Sequence, residues 1–176
     1  HKEILKIEKQ NSIKVNYKPI LLGGLHNLHG IKAPAFIPAK AKHMIRDCKL
    51  IAEKNKIKFK FNSYFPIKSL NLMRGVLVAE EDNIKSYYID NIFDSIWRDG
   101  LNMNDESVIQ KILKNLNINP KTFFLRSQSS SIKDLLRKKT NEAYEKGVFG
   151  APTFIVNKKL FWGQDRLEFV LKEAAE

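Results

Sequence analysis

The sequence predicts an α/β fold with a large helical middle, and three observations support that prediction. Residues 13–17 alternate apolar and polar side chains with the period of a half-buried strand. Helical periodicity then runs through most of the chain between residues 38 and 146. The remaining residues combine a proline turn, two short runs rich in β-branched and aromatic side chains, and a helix start. Strand-bearing ends around a helical middle indicate an α/β domain with a helical insertion.

The beginning of the chain is predicted to form a helix, a strand and a loop, in that order. Residues 1–10 place apolar side chains among charged ones with the spacing of an amphipathic helix. The strand at residues 13–17 follows. Residues 19–24 start with a proline and end with two glycines, so we predict a loop there.

The middle of the chain has helical periodicity at residues 38–55, 70–81, 84–98, 105–116, 120–126 and 131–146. Pro120 suits a first helical turn, and Ser131 with Asp134 forms a capping pattern at the start of the last helix. Residues 56–61 alternate strictly, but they lie between helices. We therefore predict an extended connector whose lysines lie in solvent.

The end of the chain begins with a turn that glycine and proline determine. Two glycines end the helical pattern, and the residue before Pro152 cannot extend it, because that position is held in extended backbone geometry. We predict a strand at residues 153–156 and, after a short polar turn, a second hairpin strand at residues 160–162. Asp165 and Glu168 form an acidic N-cap pattern for a closing helix.

Composition limits the classes of partner. The chain has 31 Lys and Arg against 19 Asp and Glu, a formal charge of +12 that favours anionic ligands. No RNA-binding, helix-turn-helix or zinc-finger pattern is present in the sequence, so nucleic acid is not an expected partner. No apolar run approaches the roughly 20 residues of a membrane span. We expect a soluble, cytoplasmic protein without a membrane partner, although a targeting segment upstream remains open.

Cys48 is the only cysteine of the sequence. It excludes an internal disulfide, a CxxC redox pair and a cysteine zinc site within these residues. His26 and His29 have an HxxH spacing, but they lie in a glycine-bounded loop without an obvious third ligand. No metal is therefore expected.

The closing strand–strand–helix unit, entered through Pro152, resembles the C-terminal half of a thioredoxin-like fold. That resemblance implies a cis peptide bond before this proline, a minority state that folds retain for a reason. It also implies that the backbone N–H and C=O of Ala151 lie exposed beside the active site. An extended thiol peptide pairs there as if it added a strand.

Six motifs stand in one order over nearly the whole chain: Pro19-Ile-Leu-Leu-Gly-Gly24, Pro38-Ala-Lys40, Arg46-Asp47, Phe65-Pro66, Gly147-Val-Phe-Gly-Ala-Pro-Thr153 and Phe161-Trp-Gly-Gln-Asp-Arg-Leu167. In that order they resemble the 2-hydroxychromene-2-carboxylate isomerase family, relatives of kappa-class glutathione transferases. The resemblance implies a thioredoxin-like fold with a large all-helical insertion. The thioredoxin-like domain is expected at residues 1–38 and 145–176, and the helical insertion domain at residues 39–144.

The family resemblance implies a glutathione-dependent isomerase or transferase that acts on a small electrophile, specifically a conjugated, aromatic and carboxylate-bearing one. It also implies a homodimer. Family members activate the glutathione sulfur with a serine that follows their first strand. This sequence begins after that point, so we expect the strand and the serine upstream of His1, within about 20 further residues. Residues 13–17 and 153–156 would otherwise lack a partner for their ladders.

Family matching assigns glutathione to five positions: Lys40, Ala151, Pro152, Asp165 and Arg166. Asp165 is expected on the γ-glutamyl ammonium and Lys40 near the glycyl carboxylate, while Ala151 contributes backbone only. Other roles remain open, because Asp165 also suits a helix N-cap, Lys40 a surface charge, and Arg166 a pair with a nearby carboxylate.

Tyr64, Phe65 and Trp162 are candidate walls of an aromatic substrate pocket, whereas Trp97 is expected in the core. Ile31 and Lys68 depart from the family pattern, since relatives often place Asn at each position. Those departures bear on substrate identity and on peptide affinity.

Two other functions stay open beside the isomerase or transferase. A thiol–disulfide oxidoreductase of the same fold requires a CxxC pair upstream of His1. A catalytically silent binding protein is compatible with the departures at Ile31 and Lys68. The Gly-Gln-Asp-Arg motif at residues 163–166 favours the isomerase branch.

Overall fold

The computed structural model describes residues 1–11 and 13–176. The helices, in chain order, are α1 (Lys2–Asn11), α2 (Leu22–Leu28), α3 (Pro38–Lys54), α4 (Leu70–Glu81), α5 (Lys85–Trp97), α6 (Glu106–Asn115), α7 (Pro120–Ser127), α8 (Ser130–Glu145) and α9 (Leu167–Ala174). Between α8 and α9 lie the strands β1 (Thr153–Val156) and β2 (Lys159–Trp162). Short 3₁₀ turns precede α3 and α9, at Pro34–Phe36 and Gln164–Arg166. The predicted helices of the middle are confirmed to within two residues.

The main hydrophobic core lies among the helices of the middle, and α4 is at its centre because it packs against α5, α7 and α8. Apolar side chains on one side of each helix supply it, and full burial of each Leu, Ile or Phe contributes roughly 1.5–3 kcal/mol. Its fully or nearly fully buried members include Leu72, Leu77, Val78, Tyr88, Met103, Leu113, Phe123, Ile132 and Leu136.

Polar side chains cap three of these helices. The Asp105 carboxylate accepts a hydrogen bond from the Ser107 N–H at 2.8 Å, and Asn119 caps α7 through the Thr122 N–H. The capping pattern predicted at Ser131 is wrong, since α8 begins at Ser130 and its cap is Ser129. The reason is local: Ser129 holds the extended backbone geometry that an N-cap requires, whereas Ser131 already lies in the first turn.

Residues 13–17 do not form the predicted strand. Their side chains alternate between half-buried and exposed, as the sequence pattern predicts, but within residues 1–11 and 13–176 no ladder pairs them. The Val15 N–H donates instead to the Glu8 carboxylate at 2.8 Å. A strand needs a neighbour that supplies its hydrogen bonds, and the described chain brings none to this segment.

The loop predicted at residues 19–24 is also wrong in its second half, where α2 begins at Leu22. Leu25 of this helix is fully buried, and α2 packs against α8. The Leu21 N–H donates to the Thr140 hydroxyl at 3.0 Å, which ties the start of α2 to α8. Tertiary packing overrides the low helix propensity of two adjacent glycines.

The strands β1 and β2 form an antiparallel hairpin in which Thr153 lies opposite Trp162. The two turn residues, Asn157 and Lys158, both have positive φ, as a tight two-residue hairpin turn requires. The hairpin is tied to α9 by Glu173, whose carboxylate accepts a hydrogen bond from the Lys159 ammonium at 2.6 Å. That hydrogen bond lowers the pKa of Glu173 below its usual value.

In the described chain the connector at residues 56–61 contains neither helix nor strand, and Lys56, Lys58 and Lys60 are exposed as predicted, although Lys56 lies in a turn with positive φ. Its backbone is held at both ends: the N–H groups of Lys56 and Ile57 donate to carbonyls of α3, and the Lys60 N–H donates to the Trp97 carbonyl. In the described part of the chain, every helix is too short or too polar to cross a bilayer. The predicted boundary between a thioredoxin-like domain and a helical insertion stays a prediction.

Candidate functional site

The candidate site is built on the turn at Ala151-Pro152, whose peptide bond is cis, as the resemblance implies. Both residues are exposed. Within residues 1–11 and 13–176, neither the N–H nor the C=O of Ala151 has a hydrogen-bond partner. The residues around it are held: the Gly163 N–H donates to the Pro152 carbonyl at 3.0 Å, and the Thr153 hydroxyl donates to the Gly150 carbonyl at 2.7 Å. The turn therefore offers one free backbone donor and one free acceptor on a fixed support.

Gly163 places the carboxylate of Asp165, the second part of the site, next to this turn. Its φ of 111° lies in the region that favours glycine, and a Cβ there would lie 2.5 Å from Oδ1 of Asp165. The Asp165 carboxylate therefore lies close to Gly163, the residue whose N–H is hydrogen-bonded to the Pro152 carbonyl. A side chain at position 163 would displace this carboxylate.

Asp165 is not the N-cap of the closing helix, which corrects the prediction. It lies inside the 3₁₀ turn that precedes α9, and no side chain caps either element. Its side chain is 64% exposed, and in the described chain its partner is Arg166, whose Nη1 donates to Oδ2 at 3.0 Å. Exposed pairs of this kind contribute about 0.2–1 kcal/mol, so a ligand cation can displace the guanidinium.

Aromatic side chains form an exposed surface beside the turn. The Trp162 indole packs against Gly150, and its ring centroid lies 5.1 Å from that of Phe149. Both side chains are exposed. The Arg166 guanidinium lies 6.0 Å from the ring centroid of Phe169 on the following helix. Apolar and cationic groups thus flank the free backbone of Ala151.

The other predicted site residues lie elsewhere in the contact network. Lys40 is exposed in the first turn of α3, and in the described chain no hydrogen bond or ion pair joins it to the turn. Phe65 packs with Phe61 and Trp97, at centroid distances of 5.3 and 6.1 Å, and Tyr64 is exposed beside it. An aromatic pocket that joins Tyr64 and Phe65 to Trp162 stays a prediction.

Two features of this region escape sequence reasoning. Phe149 was not predicted as a site residue, although its position between two glycines next to Pro152 is a usable signal. The peptide bond between Phe65, a candidate pocket residue, and Pro66 is cis as well. Lys68, one of the departures from the family pattern, donates its N–H to Oδ1 of Asn104 at 2.8 Å.

The two histidines of the HxxH spacing have separate surroundings. His26 is buried in α2, and Nε2 of His29 lies 2.9 Å from the Val148 carbonyl oxygen, with its ring 4.5 Å from that of Tyr144. His29 therefore links the end of α2 to the segment that follows α8. Among the described residues, no three His, Cys, Asp or Glu side chains converge on a metal position.

Comparison with known proteins adds a family assignment to this geometry. The model of the DSBA-like thioredoxin domain family matches residues 1–175. The chain is 24% identical over 166 residues to a 2-hydroxychromene-2-carboxylate isomerase of Sphingobium xenophagum, covering 93% of this chain and 84% of that protein. It is 25% identical over 180 residues to glutathione S-transferase kappa 2 of Caenorhabditis elegans, covering 92% and 79%.

A solved structure of a 2-hydroxychromene-2-carboxylate isomerase superimposes with a TM-score of 0.87. It shares 21% of its sequence with this chain, and the match covers 98% of this chain and 85% of that one. The likeness confirms the thioredoxin-like fold, which here is mostly helical with a small two-stranded sheet.

Proposed function

Because the chain belongs to the DSBA-like thioredoxin domain family, we propose that it is a glutathione-dependent isomerase or transferase acting on a small conjugated electrophile. The proposal rests on two neighbouring features, the free backbone N–H and C=O of Ala151 and the exposed carboxylate of Asp165. Gly163 joins them, because its N–H is hydrogen-bonded to the turn and Asp165 follows it in the chain. The names of the relatives, isomerases and a kappa-class transferase, support the same class of chemistry.

Glutathione fits this arrangement through its functional groups. An extended peptide presents a backbone C=O and N–H in alternation, and the free N–H and C=O of Ala151 are the complementary pair. The γ-glutamyl ammonium is a cation for which Asp165 is the acceptor, and a charge-assisted hydrogen bond of this kind is among the stronger ones. Arg166 and Lys40 are donors for the two carboxylates of the tripeptide.

Bound glutathione would supply a thiol nucleophile for attack on a conjugated carbonyl compound. In this chain, Ala151 sets the register of the peptide, and Asp165 neutralises and orients its amino-terminal end. Trp162 and Phe149 offer an exposed aromatic surface on which a planar ring packs. The charge of +12 favours a substrate that carries a carboxylate. A homodimer remains the proposed assembly.

Thiol–disulfide exchange stays the alternative that requires a CxxC pair upstream of His1, and Cys48 is a poor candidate for its attacking thiol. Cys48 is half-buried in α3, and burial raises the pKa of its thiol, with a contribution from the adjacent Asp47. A raised pKa decreases the thiolate fraction that such a reaction requires.

The proposal predicts that Asp165→Asn lowers the affinity for glutathione by about 10- to 100-fold. The amide keeps the size of the side chain but removes the charge that the ammonium requires, and hydrogen bonds to charged groups contribute about 1.5–3 kcal/mol. Isothermal titration calorimetry of the wild type and the variant at equal ionic strength measures the difference.

Glu168→Gln is the matched control, because Glu168 is an exposed acid three residues further on, in the first turn of α9. The same loss of one negative charge there leaves the affinity within about twofold, since exposed charges are screened over short distances. Equal affinities of Asp165→Asn and the wild type, or no heat of binding for the wild type at millimolar glutathione, refute the proposal.

A further inference from the structure

Half of the formal charge of the protein lies in 21 consecutive residues. Residues 40–60 contain eight Lys or Arg and two acids, Asp47 and Glu53, which accounts for six of the twelve net positive charges. The eight cations belong to α3 and to the connector that follows it, and we call them the basic face: Lys40, Lys42, Arg46, Lys49, Lys54, Lys56, Lys58 and Lys60. Neither the turn at Ala151 nor the proposed reaction uses the basic face as a whole.

The cations of the basic face are free of partners. All eight are exposed, and within residues 1–11 and 13–176 none of them lies in an ion pair. Some cations elsewhere are paired, as Arg126 is with Glu81 and Asp82 and Lys85 with Glu80, so the basic face differs by its density of cations and not by the lack of ion pairs alone. Eight clustered cations against two acids repel one another, so an external polyanion relieves that repulsion.

Several of these cations lie on one side of α3 together with an apolar side chain. Lys42, Arg46 and Lys49 are spaced by four and three residues, so they form one stripe along the outer side of α3. Leu50 lies four residues after Arg46 and four before Lys54, and it is 51% exposed. Phe36, in the 3₁₀ turn that leads into α3, is 60% exposed. Large apolar side chains therefore stand exposed in and next to the basic face.

We propose that the basic face binds the surface of an anionic lipid bilayer, with α3 lying parallel to that surface. Lysines attract the anionic headgroups, while Leu50 and Phe36 enter the boundary between headgroups and acyl chains. The helix has 17 residues, a length of about 25 Å, and lies on the membrane rather than across it. Peripheral binding requires no membrane-spanning helix.

A bilayer suits this face better than nucleic acid does. Seven of the eight cations are Lys, and Arg46 is the one guanidinium available for bidentate contacts to phosphate or guanine. Base stacking on single strands uses exposed aromatic rings, and here the Phe59 ring stacks on Trp97 at 5.8 Å, which leaves Phe36 as the exposed ring in or next to the basic face. Leu50 and Phe36 have a favourable environment in lipid and none against a phosphate backbone.

The test is co-sedimentation of the full chain with vesicles of phosphatidylcholine and phosphatidylserine, against vesicles of phosphatidylcholine alone. The expected result is binding to the anionic vesicles that weakens as salt is raised. The variant Lys42→Gln/Arg46→Gln/Lys49→Gln is expected to lose about 100-fold in affinity, since each cation near such a surface contributes about fivefold. Leu50→Ser is expected to lose part of the affinity at any salt concentration.

The matched control is Lys111→Gln/Lys121→Gln/Lys133→Gln, which removes three exposed lysines outside the basic face and changes the net charge equally. It is expected to bind within about threefold of the wild type, a small change set by net charge alone. Equal losses in both triple variants refute a specific face, as does equal binding to both kinds of vesicle. Preference for a short DNA or RNA duplex over anionic vesicles, lost in the Lys42 triple variant, assigns the face to nucleic acid and overturns the proposal. Unchanged melting temperatures show that the variants are folded.

Discussion

The Gly75→Ala variant is expected to be less stable than the wild type by about 1–3 kcal/mol, although alanine is normally the better residue in a helix. Gly75 lies in the buried part of α4. A Cβ there would overlap the Tyr88 hydroxyl and would lie 2.8 Å from Cζ of that ring and 3.1 Å from Cε1 of Phe123. Tyr88 is 1% exposed and donates its hydroxyl to the Leu72 carbonyl at 3.3 Å, so the ring cannot move without loss of packing. Urea unfolding measures the difference as a lower midpoint.

Gly23→Ala is the control for this variant. Gly23 lies in α2, and a Cβ there would have no neighbour within 4 Å. The intrinsic preference for alanine then acts alone, and a gain of about 0.5–1 kcal/mol is expected. Tyr88→Phe added to Gly75→Ala removes the overlapping oxygen and is expected to restore part of the loss. A Gly75→Ala protein as stable as the wild type contradicts the packing of α4 against α5 described above.

Asn62→Ala is expected to destabilise the protein by about 3–5 kcal/mol, because it removes a buried amide that joins three segments. The residue is 0% exposed. Its Nδ2 donates to the carbonyls of Ile96 and Leu101, at 3.0 and 2.9 Å, and its Oδ1 accepts from the Tyr64 N–H at 2.8 Å. Alanine leaves these backbone groups without their side-chain partner in part-buried surroundings, where water replaces the lost bonds only in part. Thermal and urea unfolding both report the loss.

Asn91→Ala provides the comparison, since its Nδ2 also donates to a helix carbonyl, that of Tyr87 at 2.9 Å, but on the exposed side of α5. Water replaces that bond, so a change within about 0.5 kcal/mol is expected. Similar effects of the two substitutions mean that the Asn62 amide does not connect the segments in the way the geometry indicates.

Local sequence signals were sufficient for most of the helices. Residues 70–81 and 84–98 repeat apolar side chains with helical spacing, and the structure confirms both helices because each buries that side in the main core. Pro120 and Pro152 act locally on the backbone, which explains why the start of α7 and the turn before β1 were predicted correctly. These features depend on neighbours within a few residues along the chain.

The predictions that were wrong depend on distant contacts or on fine backbone geometry. Residues 13–17 have the pattern of a strand whose ladder partner was expected upstream of His1, and in the described chain no second segment pairs with them. The helix that begins at Leu22 contains two glycines and forms because Leu25 packs against α8, far along the chain. Asp is a residue type favoured at N-caps, yet Asp165 lies in a 3₁₀ turn that leaves its carboxylate exposed.

The residues of the candidate site also fall into those set by local sequence and those set by distant contacts. Ala151 and Asp165 are separated by one hairpin, so their association follows from the turn and the register of β1 and β2. Lys40 was placed in the site by family matching and Tyr64 by its aromatic ring. Their position relative to the turn depends on how α3 and the cis Phe65-Pro66 segment pack. Phe149 lies inside the family motif at residues 147–153, but neither that motif nor periodicity singles it out as an exposed site residue.

The most direct test of the central claim is a ¹⁵N-resolved NMR titration of the protein with glutathione. The claim is that the free backbone of Ala151 pairs with the tripeptide while Asp165 binds its ammonium group. The account predicts that the Ala151 amide signal moves downfield and becomes protected from hydrogen exchange, and that Asp165→Asn weakens this response without moving its end point. An Ala151 amide that neither shifts nor gains protection at saturating glutathione contradicts the account.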